Sequence, residues 1–159
     1  SETSSRFMAA IFPSTTGKNL NKKVTTVPDD FPDKNLIAIV AFQRWHQPIV
    51  DQCIDALEEN NIDATHHIIE IPVIQKFSKF RQIRLDGGMR AGIRDKAIRA
   101  RTITVYLDKQ AFRKSVDIPN EESIHWFLID HASKEILLRG IGAVSPSEVE
   151  QIVFLSQEK

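Results

Sequence analysis

The sequence predicts an α/β fold, a three-layer α/β/α sandwich with a central mixed β-sheet. Strand patterns alternate with helix patterns along most of the chain, which then ends in a predicted hairpin and a final helix. Alternating strands and helices are typical of parallel strands that are covered by helices. A hairpin adds antiparallel pairing to such a sheet.

The first strong strand pattern covers residues 35–42, which after Asn35 are apolar without alternation. A continuous apolar run predicts a strand that is covered on both faces, as in the middle of a sheet. A short edge strand is predicted at residues 23–27, and a turn is predicted at Gly17. Further strands are predicted at residues 64–73, 102–107, 123–129 and 135–140.

Four helices are predicted between or after these strands. Pro48 suits the first turn of a helix, where its missing N–H is not needed, and the helix has an apolar stripe of Ile49, Val50, Cys53, Ile54 and Leu57. A second helix is predicted from the spacing of Phe77, Phe80 and Ile83, and a short third one at residues 109–116. The closing helix starts with the capping-box pattern Ser145-Pro146-Ser147-Glu148, and we expect it to bury Val149, Ile152 and Val153.

The composition excludes several classes of protein. Of the 159 residues, 42% are hydrophobic and 26% are charged, which is ordinary for a soluble globular domain. The formal net charge is zero, so nothing in the overall charge indicates a nucleic-acid ligand. No apolar run approaches the roughly 20 residues of a membrane span.

Cys53 is the single cysteine in the sequence. One cysteine excludes a disulfide within the chain and any cysteine-rich metal site. It favours a reducing compartment, so we expect a cytoplasmic protein. The polar residues 1–6 show no signal-peptide region, although a periplasmic location stays open if a signal was removed.

A motif after the first strong strand resembles a known superfamily. The strand ends in Val40-Ala41-Phe42 and is followed by Trp45-His46-Gln47-Pro48-Ile49. This resembles the thioredoxin-like proteins, whose motif is Trp-Cys-Gly-Pro-Cys followed by a helix. Residues 126–130 and 136–150 resemble the end of the peroxiredoxin-like branch (AhpC/TSA and TlpA-like proteins).

Two further segments extend this resemblance. Residues 86–103 resemble a thioredoxin-like group that is related to the ATP10 mitochondrial assembly factor. The lead-in, residues 1–34, is similar to the short hairpin that precedes the domain in the peroxiredoxin-like branch. The resemblance thus implies a lead-in of residues 1–34 and a thioredoxin-like domain of residues 35–159.

The departures from the motif decide which activity the resemblance implies. His46 stands where the family has its nucleophilic cysteine, and Ile49 stands where it has the second cysteine. Dithiol–disulfide exchange needs both thiols. We therefore expect a redox-inactive domain with a binding role, in the manner of an assembly factor or chaperone. The position of the family's cis-proline is occupied by Ile124, and Pro119 lies five residues earlier.

An enzymatic alternative rests on Cys53. A peroxiredoxin-like thiol oxidoreductase or peroxidase would use it as its catalytic residue. Cys53 lies on the apolar stripe of the first helix, however, and a cysteine in that setting is usually a buried small hydrophobe.

The motif also supplies candidate binding residues: Trp45, His46, Gln47 and Pro48. One interpretation of His46 is a neutral imidazole in a small pocket with Trp45 and Gln47, because a helix N-terminus disfavours an added positive charge. The other is a partly exposed loop histidine without a function. A protein partner would bind the surface formed by residues 45–48, which we call the rim.

The segment from residue 76 to residue 101 is rich in basic residues. Its acids are Asp86 and Asp95, and its nine basic residues are Lys76, Lys79, Arg81, Arg84, Arg90, Arg94, Lys96, Arg99 and Arg101. One interpretation is a clamp for a small anion or an acidic protein partner, with the candidate residues Arg81, Asp86, Arg90, Arg94 and Arg99. A solvated helix face is the other. Nucleic acid is disfavoured, because Phe77 and Phe80 are spaced for a core rather than for stacking on bases.

No pattern indicates a metal or a cofactor. His66 and His67 are adjacent in a predicted strand, so their side chains point to opposite faces and do not favour a shared metal. The sequence also lacks the Gly-x-Ser-x-Gly pattern of a hydrolase nucleophile. We expect neither a bound metal nor a cofactor.

Overall fold

A computed structural model describes residues 10–76 and 100–157. The strands in this part are β1 (Thr15–Asn19), β2 (Val24–Val27), β3 (Asn35–Ala41), β4 (His66–Gln75), β5 (Ile103–Leu107), β6 (His125–Ile129) and β7 (Ile136–Ile141). The helices in this part are α1 (Gln47–Glu59), α2 (Lys109–Ser115) and α3 (Pro146–Gln157). The strands form one mixed sheet of seven strands in the order β2-β1-β5-β4-β3-β6-β7.

Strand β3 lies inside the sheet, as its continuous apolar pattern predicts. It pairs in parallel with β4, and β4 pairs in parallel with β5. On its other side β3 pairs antiparallel with β6, which forms the predicted hairpin with β7. The predicted α/β class with a mixed sheet is therefore confirmed.

The two faces of β3 are buried in two separate cores, which makes three layers. Leu36, Ala38 and Val40 pack in one cluster with Phe112 of α2. Ile37, Ile39 and Ala41 pack in the other, with residues of α1 and α3. Because side chains alternate along a strand, an apolar residue at every position is what two buried faces require.

Helices α1 and α3 follow their predicted patterns with one correction. In α1 the side chains of Val50, Cys53 and Leu57 are buried. In α3 the capping box is formed, since Glu148 N–H donates to Ser145 Oγ and Ser145 N–H to Glu148 Oε1. The prediction that Val153 is buried is wrong: its side chain is 38% exposed. The helix face that meets the sheet carries Val149 and Ile152, and residue 153 is turned about 100° from residue 152.

Gly17 is not at a turn, as the sequence suggested, but inside β1, which forms a hairpin with β2 and also pairs with β5. A Cβ atom at this position would overlap the Thr104 carbonyl oxygen of β5. The glycine therefore serves the close approach of two backbones. The division of the chain at residue 34 into a lead-in and a domain stays a prediction.

Some predictions fall outside the described residues. The helix inferred from Phe77, Phe80 and Ile83 is one of them. None of the helices in residues 10–76 and 100–157 is long and apolar enough to cross a membrane. The compartment of the protein stays a prediction.

Replacement of Gly140 should test the packing of the β6–β7 hairpin. A Cβ atom there would lie 2.5–2.6 Å from three ring atoms of Trp126, which is fully buried. We expect Gly140→Ala to lower the free energy of unfolding by about 2 kcal/mol, because overpacking of a rigid core forces strained rearrangement. Urea denaturation measures this, with Ile141→Ala as a control at an exposed neighbour. Equal stability of the two variants would show that the ring moves freely.

Candidate functional site

The motif residues form the connection between the sheet and helix α1. Strand β3 ends at Ala41, and a single 3₁₀ turn, Arg44–His46, leads into α1. Pro48 occupies the first turn of the helix, as predicted. The N-terminus of α1 therefore starts close to the carboxyl end of a central strand.

His46 is fully buried, with no exposed side-chain surface. Its Nδ1 accepts from the backbone N–H groups of Phe42, at 3.1 Å, and Gln43, at 3.3 Å. Its Nε2 lies 3.0 Å from the Glu121 carbonyl oxygen and donates to it, since Nδ1 is the acceptor. The interpretation of His46 as a partly exposed loop residue is therefore wrong, because the imidazole turns inward to join two loops.

The environment of His46 favours a neutral ring. Burial lowers the pKa of His46, and the positive charge of Lys109 lowers it further, against the opposite influence of Glu121. A protonated ring would also lose the lone pair on Nδ1 that accepts two N–H groups. The neutral imidazole inferred from the helix N-terminus agrees with this environment.

Glu121 holds the loop that faces His46. Its Oε1 accepts from Gln43 Nε2 at 2.7 Å and from Lys109 Nζ at 3.3 Å. Its Oε2 lies 3.4 Å from Arg113 Nε. Lys109 Nζ also donates to the Phe42 carbonyl at 2.8 Å. These contacts bind the start of α2 and the loop before β6 to the motif, a function that sequence spacing did not indicate.

The other three candidate binding residues of the motif are exposed. The Trp45 side chain is 56% exposed, and its ring meets that of His46 edge to face with the ring centroids 4.3 Å apart. Gln47 and Pro48 lie on the surface at the start of α1, where Gln47 Nε2 donates to Asp51 Oδ1 at 3.0 Å. The predicted rim is thus a surface with one large aromatic side chain.

Cys53 lies nearly two turns inside α1 and is fully buried. Burial raises the pKa of the Cys53 thiol to about 11. Only about one thiol in ten thousand would then be ionised at pH 7, and the thiolate is the reactive form. The position and chemistry of Cys53 are those of a core residue.

A cleft of about 500 Å³ opens beside the motif, between the carboxyl ends of β3 and β4 and the start of α1. Its wall is largely apolar, with Ala41, Phe42, Pro72 and Val73. The acid Glu70 of β4 also lines it and is 6% exposed.

Glu70 is not among the site residues that the sequence predicts. Burial, together with the nearby Asp51 carboxylate, raises the pKa of Glu70 to about 7. The signal was nonetheless present, because Glu70 is the one charged residue in the otherwise apolar run 68–74. A buried carboxyl group in a cleft is a common feature of functional sites.

The candidate anion clamp falls outside the described residues, since Arg81, Asp86, Arg90, Arg94 and Arg99 all belong to residues 77–99. Of the nine basic residues, Lys76 and Arg101 are described. Arg101 lies 3.3 Å from Glu58 in an ion pair with α1. The clamp stays a prediction.

The described histidines are scattered over the fold. His66 is buried, whereas His67 is partly exposed, so they face opposite sides of β4 as predicted. Across residues 10–76 and 100–157, no three His, Cys, Asp or Glu side chains lie close enough together to hold a metal ion. The peptide bond that is cis in this part of the chain is Val27–Pro28, and Ile124 is a buried residue just before β6.

No family model and no curated protein sequence matches the chain. Solved structures do. A thiol:disulfide interchange protein from Bacteroides sp. is 12% identical, with a TM-score of 0.55 over 91% of this chain and 86% of that one. The exposed lipoprotein thioredoxin Etrx1 of Streptococcus pneumoniae strain TIGR4 is 10% identical, with a TM-score of 0.57 over 92% of this chain and 100% of that one.

A third similar structure is BsSco, a member of the Sco family of cytochrome c oxidase assembly proteins. It is 10% identical, with a TM-score of 0.61 over 96% of each chain. At these identities the likeness concerns the fold, and it agrees with the β3–α1–β4 arrangement and the mixed sheet. The chain therefore has the thioredoxin-like fold.

Proposed function

We propose that this chain is a thioredoxin-like domain that carries out no thiol–disulfide chemistry and acts by binding a partner at the start of α1. The observation that carries the proposal is the state of its single thiol. Cys53 is fully buried in the core below α1, and its pKa is raised to about 11. A thiol in that state is a poor nucleophile at neutral pH.

The motif positions support the same proposal. His46 takes the place of the nucleophilic cysteine, and its side chain points into the protein rather than to a substrate. Ile49 takes the place of the second cysteine. Neither residue has a thiol group, and dithiol–disulfide exchange requires two.

The surface around the motif supports a binding role. Trp45 is a large exposed aromatic side chain, and aromatic residues are enriched at interfaces. It directly follows Arg44, one of the residues that line the cleft. The likeness to BsSco adds a precedent, because that protein belongs to a family of assembly proteins.

Thiol labelling and two activity assays test the proposal. At pH 7 we expect Cys53 to react at least a hundredfold more slowly with a thiol reagent in the folded protein than in 6 M guanidinium chloride. We also expect no insulin reduction and no peroxide consumption above the rate without protein.

Cys53→Ser is the matched control for these assays. Fast stoichiometric labelling of the folded chain would contradict the proposal. So would peroxide consumption that Cys53→Ser abolishes, which would favour the peroxiredoxin-like alternative.

A further inference from the structure

We propose that His46 is a pH-sensitive switch for the rim: the neutral imidazole closes the 3₁₀ turn Arg44–His46, which carries Trp45, and the protonated imidazole opens it. This inference rests on the proposed function, in which the rim binds a partner, and it adds a regulation of that site by pH. The hydrogen bonds between the imidazole and its own turn support it.

The turn is closed on itself by His46. Its Nδ1 atom accepts from the backbone N–H of Phe42 at 3.1 Å and from that of Gln43 at 3.3 Å. The backbone N–H of His46 donates to the Gln43 carbonyl oxygen at 3.0 Å. Two of these three hydrogen bonds therefore depend on one lone pair, that of Nδ1.

A proton on Nδ1 removes this lone pair. The ring then presents an N–H group to two backbone N–H groups, so that two attractive contacts become repulsive. A flip of the ring does not restore them, because both nitrogens of an imidazolium are donors. The bond from Nε2 to the Glu121 carbonyl oxygen survives protonation, since Nε2 remains a donor. The closed turn is therefore compatible only with a neutral ring.

The groups that face His46 from the neighbouring elements favour the neutral ring. Burial lowers the pKa of His46, the backbone and carboxylate of Glu121 oppose this, and the charge of Lys109 on α2 lowers the pKa further. The Glu121 carboxylate is shared with Lys109 and Arg113, so much of its charge is matched. On β6 the buried His125 supplies no negative charge, and a charge on His46 disfavours one on His125.

The sign of the effect follows from this lowered pKa. In an opened turn the ring would meet water, and its pKa would return to the ordinary value of 6.5. The stabilisation of the closed turn by neutral His46 is therefore complete above pH 6.5 and is lost as the pH falls below that value. At pH 5 this linkage can raise the open population by up to about thirtyfold. The charged side chains of the turn and of the start of α1, Arg44 and Asp51, are exposed, so water and salt screen them.

Trp45 couples this turn to the rim. It is the middle residue of the turn, and its ring meets the His46 ring edge to face with the centroids 4.3 Å apart. Opening of the turn would move the backbone that carries this exposed side chain and would separate the two rings. A partner that contacts Trp45 would therefore bind at neutral pH and be released in acid.

Amide hydrogen exchange of the wild type, measured by NMR at pH 7.5 and pH 5, tests the proposal. Protection factors remove the intrinsic pH dependence of exchange, so a change in them reports opening. We expect those of the Phe42 and Gln43 amides to fall at least fivefold at pH 5. The ring nitrogens of His46 and the indole N–H of Trp45 should titrate together, with a midpoint below pH 6.5.

His46→Asn is the matched variant, because asparagine Oδ1 can accept in the place of Nδ1 but does not titrate. We expect its protection factors at the two amides to agree within about twofold between the two pH values. His131→Asn, beyond the far end of β6, should behave like the wild type. The wild-type titration decides by itself whether the turn opens, even if His46→Asn does not fold.

Three results would overturn the proposal: a His46 ring that stays neutral at pH 5, wild-type protection factors that do not fall, or an equal fall in His46→Asn. None of them would affect the proposed absence of thiol chemistry, which the labelling and activity assays decide separately.

Discussion

Replacement of Glu70 by glutamine is expected to stabilise the protein, by about 3 kcal/mol at pH 8. The folded pKa of Glu70 is about 7, and its ordinary value is 4.5. Each pKa unit corresponds to 1.36 kcal/mol, so the rise from 4.5 to about 7 means that the ionised carboxylate costs the folded state about 3 kcal/mol when the pH is well above 7. Glutamine keeps the shape of the side chain and carries no charge.

The sign of the effect fixes its pH dependence. Because the folded pKa is raised, the favourable contribution of the protonated Glu70 is complete below pH 4.5 and is lost as the pH rises through 7. The advantage of Glu70→Gln should therefore fall from about 3 kcal/mol at pH 8 to below about 1 kcal/mol at pH 5. Urea denaturation of both proteins at the two pH values measures the difference.

Glu59→Gln is the control, since Glu59 is exposed at the end of α1. It should change the free energy of unfolding by less than about 0.5 kcal/mol at either pH. Equal stabilities of Glu70→Gln and wild type at pH 8 would show that the Glu70 carboxylate is well solvated or paired.

The sequence was sufficient to predict the elements of this fold whose signals are local. The continuous apolar run of β3 indicates a strand that is buried on both faces. The apolar stripe of α1 indicates a helix that is buried along one side. The capping box of α3 involves residues three positions apart. Each of these signals lies within one element, so one sequence is enough to interpret it.

The site depends on contacts between distant parts of the chain, which a single sequence does not show. The burial of His46 depends on the carbonyl of Glu121, 75 residues away. The environment of Glu70 depends on the register of β3 with β4, which places Glu70 opposite Ile39, on the α1 side. The exposure of Val153 was also not predictable from the sequence, because it depends on how α3 is rotated about its axis against the sheet.

The largest loss of stability that we expect follows from His46→Phe, which fills the space of the imidazole but provides no polar atom. The variant leaves the N–H groups of Phe42 and Gln43 and the carbonyl of Glu121 without their partner. A buried polar group that loses its partner costs about 1–3 kcal/mol. We expect a total loss of about 3–4 kcal/mol at pH 8, because the two N–H bonds share one acceptor and do not add fully.

His46 should also govern part of the acid sensitivity, with a sign opposite to that of Glu70. Because burial lowers its folded pKa, the contribution of neutral His46 is complete above pH 6.5 and is lost as the pH falls below that value. The contribution of Glu70 increases as the pH falls through 7, so the two titrations act in opposite directions in the wild type. Glu70→Gln should therefore reveal a steeper loss of stability from pH 6.5 downward.

The double variant His46→Phe/Glu70→Gln separates the histidine from its surroundings. We expect its stability to fall less between pH 6.5 and pH 5 than that of Glu70→Gln. A smaller slope should remain, because burial and the charge of Arg139 also lower the pKa of His125. An unchanged slope would mean that His46 is not the group that titrates. Its two accepted N–H bonds would then stabilise the loop without making the loop sensitive to acid.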